Sequence, residues 1–366
     1  MMRKRQPLSL GVFSRGRTAA RYSGVLASAA VLCLAPLARG QMPRARPAQV
    51  TPETEAAINK ALKYLASRQS SDGAFRDAGG LGTYPVTMTS LASLALMSSG
   101  STPTAGKYAP NLRKSLTYVL RSPQRNGLIC RPGEEESRSM YGHGFAMLFL
   151  SQVMGMEEDP ERLARVRWVL RKGVDLTARS QSRLGGWLYT PDMNGDEGSV
   201  TVTQVQALRA ARNAGVGVPK TVIRRAMKYL RRSVQPDGGI AYRVGMSGSR
   251  PPITAAAVAC WFNAGEYDNP MARRALKYCK ENIGFGQSRQ GVWGHFFYAH
   301  LYLSQVMYLA GEKEWKQYYP KMRDYLLSTQ NEDGSWEGDS VGRVYGTAIA
   351  LMILQLPYNH LPIMQR

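Results

Sequence analysis

Two acidic clusters in this chain of 366 residues have the residue types and placement for proton chemistry. The first is Asp192-Met-Asn194-Gly-Asp196-Glu197-Gly-Ser199-Val-Thr201, and the second is Glu337-Gly-Asp339-Ser-Val-Gly-Arg343, which runs into Tyr345. A carboxyl group can act as a general acid or base, and two of them facing each other across a gap can share a proton, which raises one pKa. Asp196, Glu197 and Asp339 are therefore the candidate catalytic residues. A structural alternative stands beside this reading. Asp196 or Ser199 can cap the helix that follows, Asp192, Asn194 and Asp196 can form a polar turn, and Arg343 can neutralise Asp339.

Histidine is scarce, at four residues. His143 and His295 begin apolar helical stretches and His300 lies deeper in the second of them; Tyr141 and Trp293 stand at the same two helix starts, and Arg343 and Tyr345 at the start of the last apolar helix. These seven are the candidate ligand-binding set, although a single histidine at a helix start serves equally well as a hydrogen-bonded structural residue. No local spacing of zinc ligands is present, and the oxygen-rich loop lacks the twelve-residue calcium pattern. No metal and no cofactor is expected.

The elements that must position these groups are six pairs of helices. One helix of each pair is amphipathic and basic, as in Ile223-Arg-Arg-Ala-Met-Lys-Tyr-Leu-Arg-Arg232, and the other is apolar all round, as in Thr254-Ala-Ala-Ala-Val-Ala-Cys-Trp-Phe262. The first kind has a face in water and the second is covered by neighbours, which predicts an outer ring around an inner one. An open stack would need a polar capping repeat at its end, and the last apolar helix, around 345–355, has none, so the expected fold is a closed all-α (α/α)6 toroid. A phrase of glutamine, turn residues, glycine and aromatic joins the helices of a pair: Gln69 to Phe75, Gln181 to Trp187, Gln235 to Tyr242 and Gln330 to Trp336. Its expected work is structural. The glutamine supplies donors to the carbonyls at the end of the outer helix, the glycine turns and the aromatic packs beneath. The second and fifth units also echo each other in Leu-Ser151-Gln-Val-Met154 and Leu-Ser304-Gln-Val-Met307, which places them on opposite sides of a six-membered ring.

These phrases, with Tyr141-Gly-His-Gly-Phe-Ala, Asp196-Glu-Gly-Ser-Val-Thr201, Val344-Tyr-Gly-Thr-Ala-Ile-Ala and the terminal Leu-Pro-Ile-Met-Gln-Arg, resemble the prenyltransferase and squalene-cyclase repeat superfamily, and especially its exported single-toroid members from planctomycete-type bacteria. The resemblance implies an apolar isoprenoid-like ligand in a central cavity. It also implies that Asn194-Gly-Asp196-Glu197 occupies the place of the aspartate-rich acid motif of squalene–hopene cyclases, with two of its acids altered. Inner-helix aromatics such as Phe145, Phe149, Trp261, Phe296, Tyr298 and Tyr302 then face cations through their π surfaces or fill the core. Two other readings remain open: a non-catalytic toroid that binds a protein or envelope component, and a glycan-active enzyme.

Residues 1–40 read as a signal peptide, 41–50 as a flexible lead-in and 51–366 as the toroid. The signal carries seven basic residues and no acid, so the net charge of +22 falls to +15 without it. Export to the periplasm or beyond is expected. No later stretch is apolar for the roughly 20 residues a transmembrane helix needs. The basic outer helices suit an anionic envelope surface, and no nucleic-acid-binding signature is present. Cys130, Cys260 and Cys279 allow at most one disulfide.

Overall fold

The computed structural model describes residues 46–77, 83–285 and 295–364; the expected signal peptide and Trp293 lie outside the described residues. Among these, twelve α-helices alternate between two environments. The first members of the pairs are α1 (Pro52–Ser67), α3 (Ala109–Arg121), α5 (Pro160–Arg179), α7 (Lys220–Arg232), α9 (Pro270–Asn282) and α11 (Glu312–Thr329). The second members are α2 (Pro85–Met97), α4 (Ser139–Val153), α6 (Gly198–Asn213), α8 (Pro251–Asn263), α10 (Phe296–Ala310) and α12 (Arg343–Leu354).

Sequence pattern and burial agree. In α7 only Val222, Ala226, Met227, Tyr229 and Leu230 are buried, one stripe at helical spacing, while every residue of α2 and of α8 is buried. A stripe needs one covering layer, whereas an all-round apolar helix needs neighbours on every side. Accordingly α2, α4, α6, α8, α10 and α12 pack in sequence, and α12 returns to α2. Outside them α11 meets α1. The ring is closed, an (α/α)6 toroid.

The repeated phrase builds the junctions between units. At Gly73, Gly127, Gly185, Gly238 and Gly334 φ lies between +90° and +105°. A Cβ at Gly185 would stand 2.4 Å from the carbonyl oxygen of Arg225 on the next outer helix, and the other four face an equivalent backbone carbonyl. The glycine is thus required twice, for the left-handed turn and for the approach of a neighbouring backbone.

The glutamine does other work than expected. Gln181 Nε2 donates to Gly185 O and Val222 O (2.9 Å each), and Gln69 likewise reaches Gly73 O and Asn111 O. Gln330 binds Gly334 O and Ala57 O at 3.0 Å, so it fastens the sixth unit to the first. The amide ties its turn to the next outer helix. The carbonyls at the end of its own outer helix are served by the indoles instead, Trp187 Nε1 donating to Thr177 O (2.7 Å) and Trp336 Nε1 to Leu326 O (2.8 Å).

Two units depart from this scheme. A fifth copy of the turn, Gln124-Arg-Asn-Gly127, was not evident from the sequence because Ile129 stands where an aromatic is expected. The fourth copy is displaced by one residue. The turn bonds of Gln235 match those of Ser70 and Ser182, so Val234 takes the place of Gln69 and Gln181, and Ile240 that of Trp187. Gln235 Nε2 correspondingly lies 3.5 Å from Ser233 O. Tyr242 is freed from the core for another position.

The middle of the ring is almost filled. Leu91, Phe145, Leu148, Leu301, Tyr302 and Met352 converge on a small void of about 30 Å³. Phe149, Trp261 and Phe296 are core residues, fully buried. Within the lead-in, Val50 is buried and Gln49 Oε1 accepts from Trp315 Nε1, so residues 46–50 are packed on α11. Cys130, Cys260 and Cys279 are buried free thiols.

Candidate functional site

Among the described residues, the connections from outer to inner helices emerge at one end of the ring, and each also closes the N-terminus of the inner helix before it. Asp77 Oδ2 accepts the N–H of Tyr345 on α12 (2.8 Å), Glu135 Oε2 that of Val86 on α2 (3.2 Å), and Asp339 Oδ2 that of Phe297 on α10 (3.1 Å). In the third and fourth connections backbone carbonyls do the same, Tyr189 O accepting from Met140 N and Tyr242 O from Gly198 N. Orphan N–H groups and the positive helix end explain why acids gather here. Burial pushes the Glu135 carboxyl up to about 7.

The cap of α6 is Glu197, where the sequence suggested Asp196 or Ser199. Its carboxylate accepts from the N–H groups of Ser199 (2.8 Å) and Val200 and from Ser199 Oγ (2.7 Å). Glu197 is fully buried, and that burial raises its pKa against the pull of these donors. Asp196 is buried beside it and accepts from Ser182 Oγ at 2.7 Å. Arg343 pairs with Glu337 (2.7 Å) and Asp333 (3.4 Å) at the surface.

His143 and His300 face away from the mouth, toward outer helices. In four units the N–H at the aromatic position is bound by a threonine of the inner helix: Phe75 N by Thr89, Trp187 N by Thr201, Ile240 N by Thr254 and Trp336 N by Thr347. In the second unit Ile129 N donates to His143 Nδ1 (3.1 Å), and Nε2 of that ring bonds Thr177 Oγ1 (3.0 Å) on α5. Because Nδ1 accepts a backbone N–H, the proton resides on Nε2. His300 holds the corresponding place in α10, bonded to Tyr318 OH (2.8 Å). Burial lowers both imidazoles to about 4.

What the mouth does present is tyrosine. A cavity of about 370 Å³ opens at the N-terminal ends of α4, α6, α8 and α10. Tyr141, Tyr189, Tyr242 and Tyr298 supply its rings, Arg138 and Arg250 its charge, and His295 stands at its rim. Tyr189 and Tyr242 share a hydroxyl hydrogen bond of 2.6 Å, and the Arg138 guanidinium lies 5.1 Å above the Tyr189 ring. Tyr141 OH bonds Ser199 Oγ, which links the cavity wall to the Glu197 carboxylate behind it, and Tyr298 OH donates to Ser199 O (3.2 Å). Burial, then the neighbouring Tyr302, Tyr141, Glu197 and Tyr345, hold the Tyr298 phenol well above its usual pKa, so it stays a donor. Partial burial and then Arg138 lower the pKa of His295 below its usual value.

Of the residues singled out from sequence, the cavity gathers Tyr141, Ser199, His295 and Tyr298, with Glu197 behind the wall and Tyr345 close by. Tyr189, Tyr242, Arg138 and Arg250 were not anticipated. Tyr242 was hidden by the register shift of its phrase, and the others sit in connections without a periodic pattern.

A scan against protein-family models gives no match, and a search of the curated proteins gives none. Solved structures do match. The type II terpene cyclase MstE from Scytonema superposes with a TM-score of 0.56 at 16% identity, covering 85% of this chain and 100% of its own. The α-1,6-mannanase GH76A of Salegentibacter sp. HEL1_6 gives 0.59 at 10% identity, covering 84% and 99%. A protein from Actinoplanes gives 0.58 at 16% identity, covering 84% and 99%. At such identities the likeness concerns the fold, and that fold serves unlike chemistries. The chain is thus an α/α toroid like that of a terpene cyclase and of a glycoside hydrolase, with a tyrosine-lined cavity at its mouth.

Proposed function

We propose that this protein is an exported toroid that binds a small amphipathic ligand, an isoprenoid-like chain with an anionic head, in the mouth cavity. The observation that carries this is the lining: four tyrosine rings and Ile253 offer apolar surface, while Arg138 and Arg250 sit among helix N-termini that favour negative charge. The geometry favours binding over alkene protonation, because Glu197 and Asp339 already accept main-chain N–H groups and the centre has no room for a folded isoprenoid. Ligands of terpene-cyclase neighbours, such as geranylgeranyl dihydroxybenzoate, combine an isoprenoid chain with a polar head and support the same class. Export rests on the basic, then apolar, N-terminal pattern, and the basic outer helices suit an anionic envelope surface.

A glycan is the second reading. Four phenols around a cavity open to solvent suit a sugar, and a mannanase neighbour is solved with α-1,6-mannotetrose. Calorimetric titration with farnesyl phosphate, farnesol and α-1,6-mannotetraose separates the two. The proposal expects micromolar binding of the phosphate, weaker binding of the alcohol, and at least tenfold loss in Arg250→Ala. Binding of the tetrasaccharide alone transfers the site to the glycan reading, and binding of none of the three sinks the proposal.

A further inference from the structure

Residues 361–364 are held at the ring by main-chain hydrogen bonds. After α12 the backbone turns at Leu356–Tyr358, reverses at Asn359 (φ +56°) and lays His360 Nδ1 against Ser98 O (2.8 Å). Leu361 and Ile363 then enter the end of the ring opposite the mouth, 3% and 4% exposed. There the N–H of Ile363 donates to Gln152 Oε1 (3.3 Å), and Gln305 Nε2 donates to the Ile363 carbonyl (3.1 Å).

Gln152 is on α4 and Gln305 on α10, helices that stand opposite each other in the inner ring. They are the glutamines of the two Leu-Ser-Gln-Val-Met echoes, and they stand on either side of one peptide unit. A relay orients the second: Asn263 Nδ2 donates to Gln206 Oε1 (2.9 Å), and Gln206 Nε2 lies 3.5 Å from Gln305 Oε1. That leaves the Gln305 NH₂ directed at a carbonyl. Buried carboxamides on apolar helices are costly without partners, and a main-chain N–H and C=O satisfy them whatever side chain they carry. Leu361 and Ile363 also pack into the apolar core. Beside Pro362 and Ile363 lies a cavity of about 360 Å³, bounded by Gln152, Met154, Met156 and Asn213.

We propose that Gln152 and Gln305 form a main-chain clamp, a binding site at the far end of the ring for a short apolar peptide segment, occupied by the chain's own residues 361–364, of which Pro362–Met364 form a 3-10 turn. The site is separate from the mouth cavity and does not depend on its ligand. It reads a backbone and can accept the same segment supplied by another molecule.

Hydrogen exchange on the full-length chain tests it. Gln152→Leu and Gln305→Leu keep the bulk and remove the carboxamides. The double variant is expected to speed exchange of the Ile363 amide at least tenfold while leaving the Leu354 amide, within α12, unchanged. Unchanged protection of Ile363 overturns the clamp, as does equal acceleration at both amides. Should the double variant not fold, the Gln152→Leu single variant, which removes the acceptor of that amide, is read by the same criteria. A chain ending at His360, once circular dichroism shows it folded, should bind the peptide Leu-Pro-Ile-Met-Gln-Arg saturably, and Gln305→Leu should weaken that binding at least tenfold. A folded shortened chain that ignores the peptide also overturns the proposal.

Discussion

Replacing Gly185 by alanine tests the reasoning on which the ring junctions rest. At φ +105° a residue with a Cβ is disfavoured by about 1–2 kcal/mol. The new methyl would also stand 2.4 Å from Arg225 O and 2.7 Å from its carbonyl carbon, backbone atoms that cannot rotate away. Separating α7 from the turn by the ångström required costs a further 1–3 kcal/mol or so, the range for overpacked sites. It also strains the Gln181 bonds to Gly185 O and Val222 O. Gly133→Ala is the control, since φ there is +81° and a Cβ meets nothing within 4 Å. Its cost is the conformational part alone, reduced by the lower entropy of the unfolded chain. Urea denaturation followed by circular dichroism should show Gly185→Ala destabilised by about 2–5 kcal/mol and Gly133→Ala by about 1 kcal/mol. Equal losses within about 0.5 kcal/mol, the usual scatter of surface substitutions, would refute the close-approach argument.

Gln330→Ala, which opens the bond between the last unit and the first, should cost about 1–3 kcal/mol in the same assay, while Gln235→Ala, outside the clamping register, should stay within about 0.5 kcal/mol. His143 and His300 have folded pKa values of about 4 against an unfolded value near 6.5, so the unfolded chain binds more protons between these limits. Their stabilisation is complete above pH 6.5 and is lost as pH falls toward 4, by up to about 3 kcal/mol each. His143→Thr, which restores the residue used by four other units, should shrink that fall by about half; thermal melts from pH 7 to 4 give the answer, and an unchanged slope contradicts it. Asp339→Asn keeps an acceptor for Phe297 N–H and should cost no more than about 1 kcal/mol. In the farnesyl phosphate titration it should bind like the wild type, and abolished binding would place Asp339 in the ligand site.

Much of the architecture was legible because it is written in local periodicity. A stripe at helical spacing in α7 and an unbroken apolar run in α8 dictate one covered face and complete cover, and six such pairs leave closure as the simple solution. The phrase around Gln181 and Trp187 was legible for the same reason, since a left-handed turn needs glycine wherever it occurs. Its partners were not. Whether an amide bonds its own helix or the next one depends on how units pack, and a one-residue shift at Gln235 is visible only once the turn bonds are formed. The acidic clusters show the same limit. Asp339 and Glu197 look alike as residue types for capping or for acid chemistry, and only the position of α10 and α6 relative to their carboxylates distinguishes the two uses.

By itself the sequence determined the all-α class, the pairing of wet and dry helices, the points where glycine is obligatory and the opposition of two echoing units. Those properties follow from side-chain polarity and backbone sterics within a few residues. The tertiary structure decided what the centre holds, which groups share the mouth and what the echoing glutamines grasp. Tyr141, Tyr189, Tyr242 and Tyr298 are separated by up to 157 positions and become neighbours only when four inner helices close side by side. Proximity of that kind is a property of the closed ring, because no interaction within one unit records where the next unit will place its side chains.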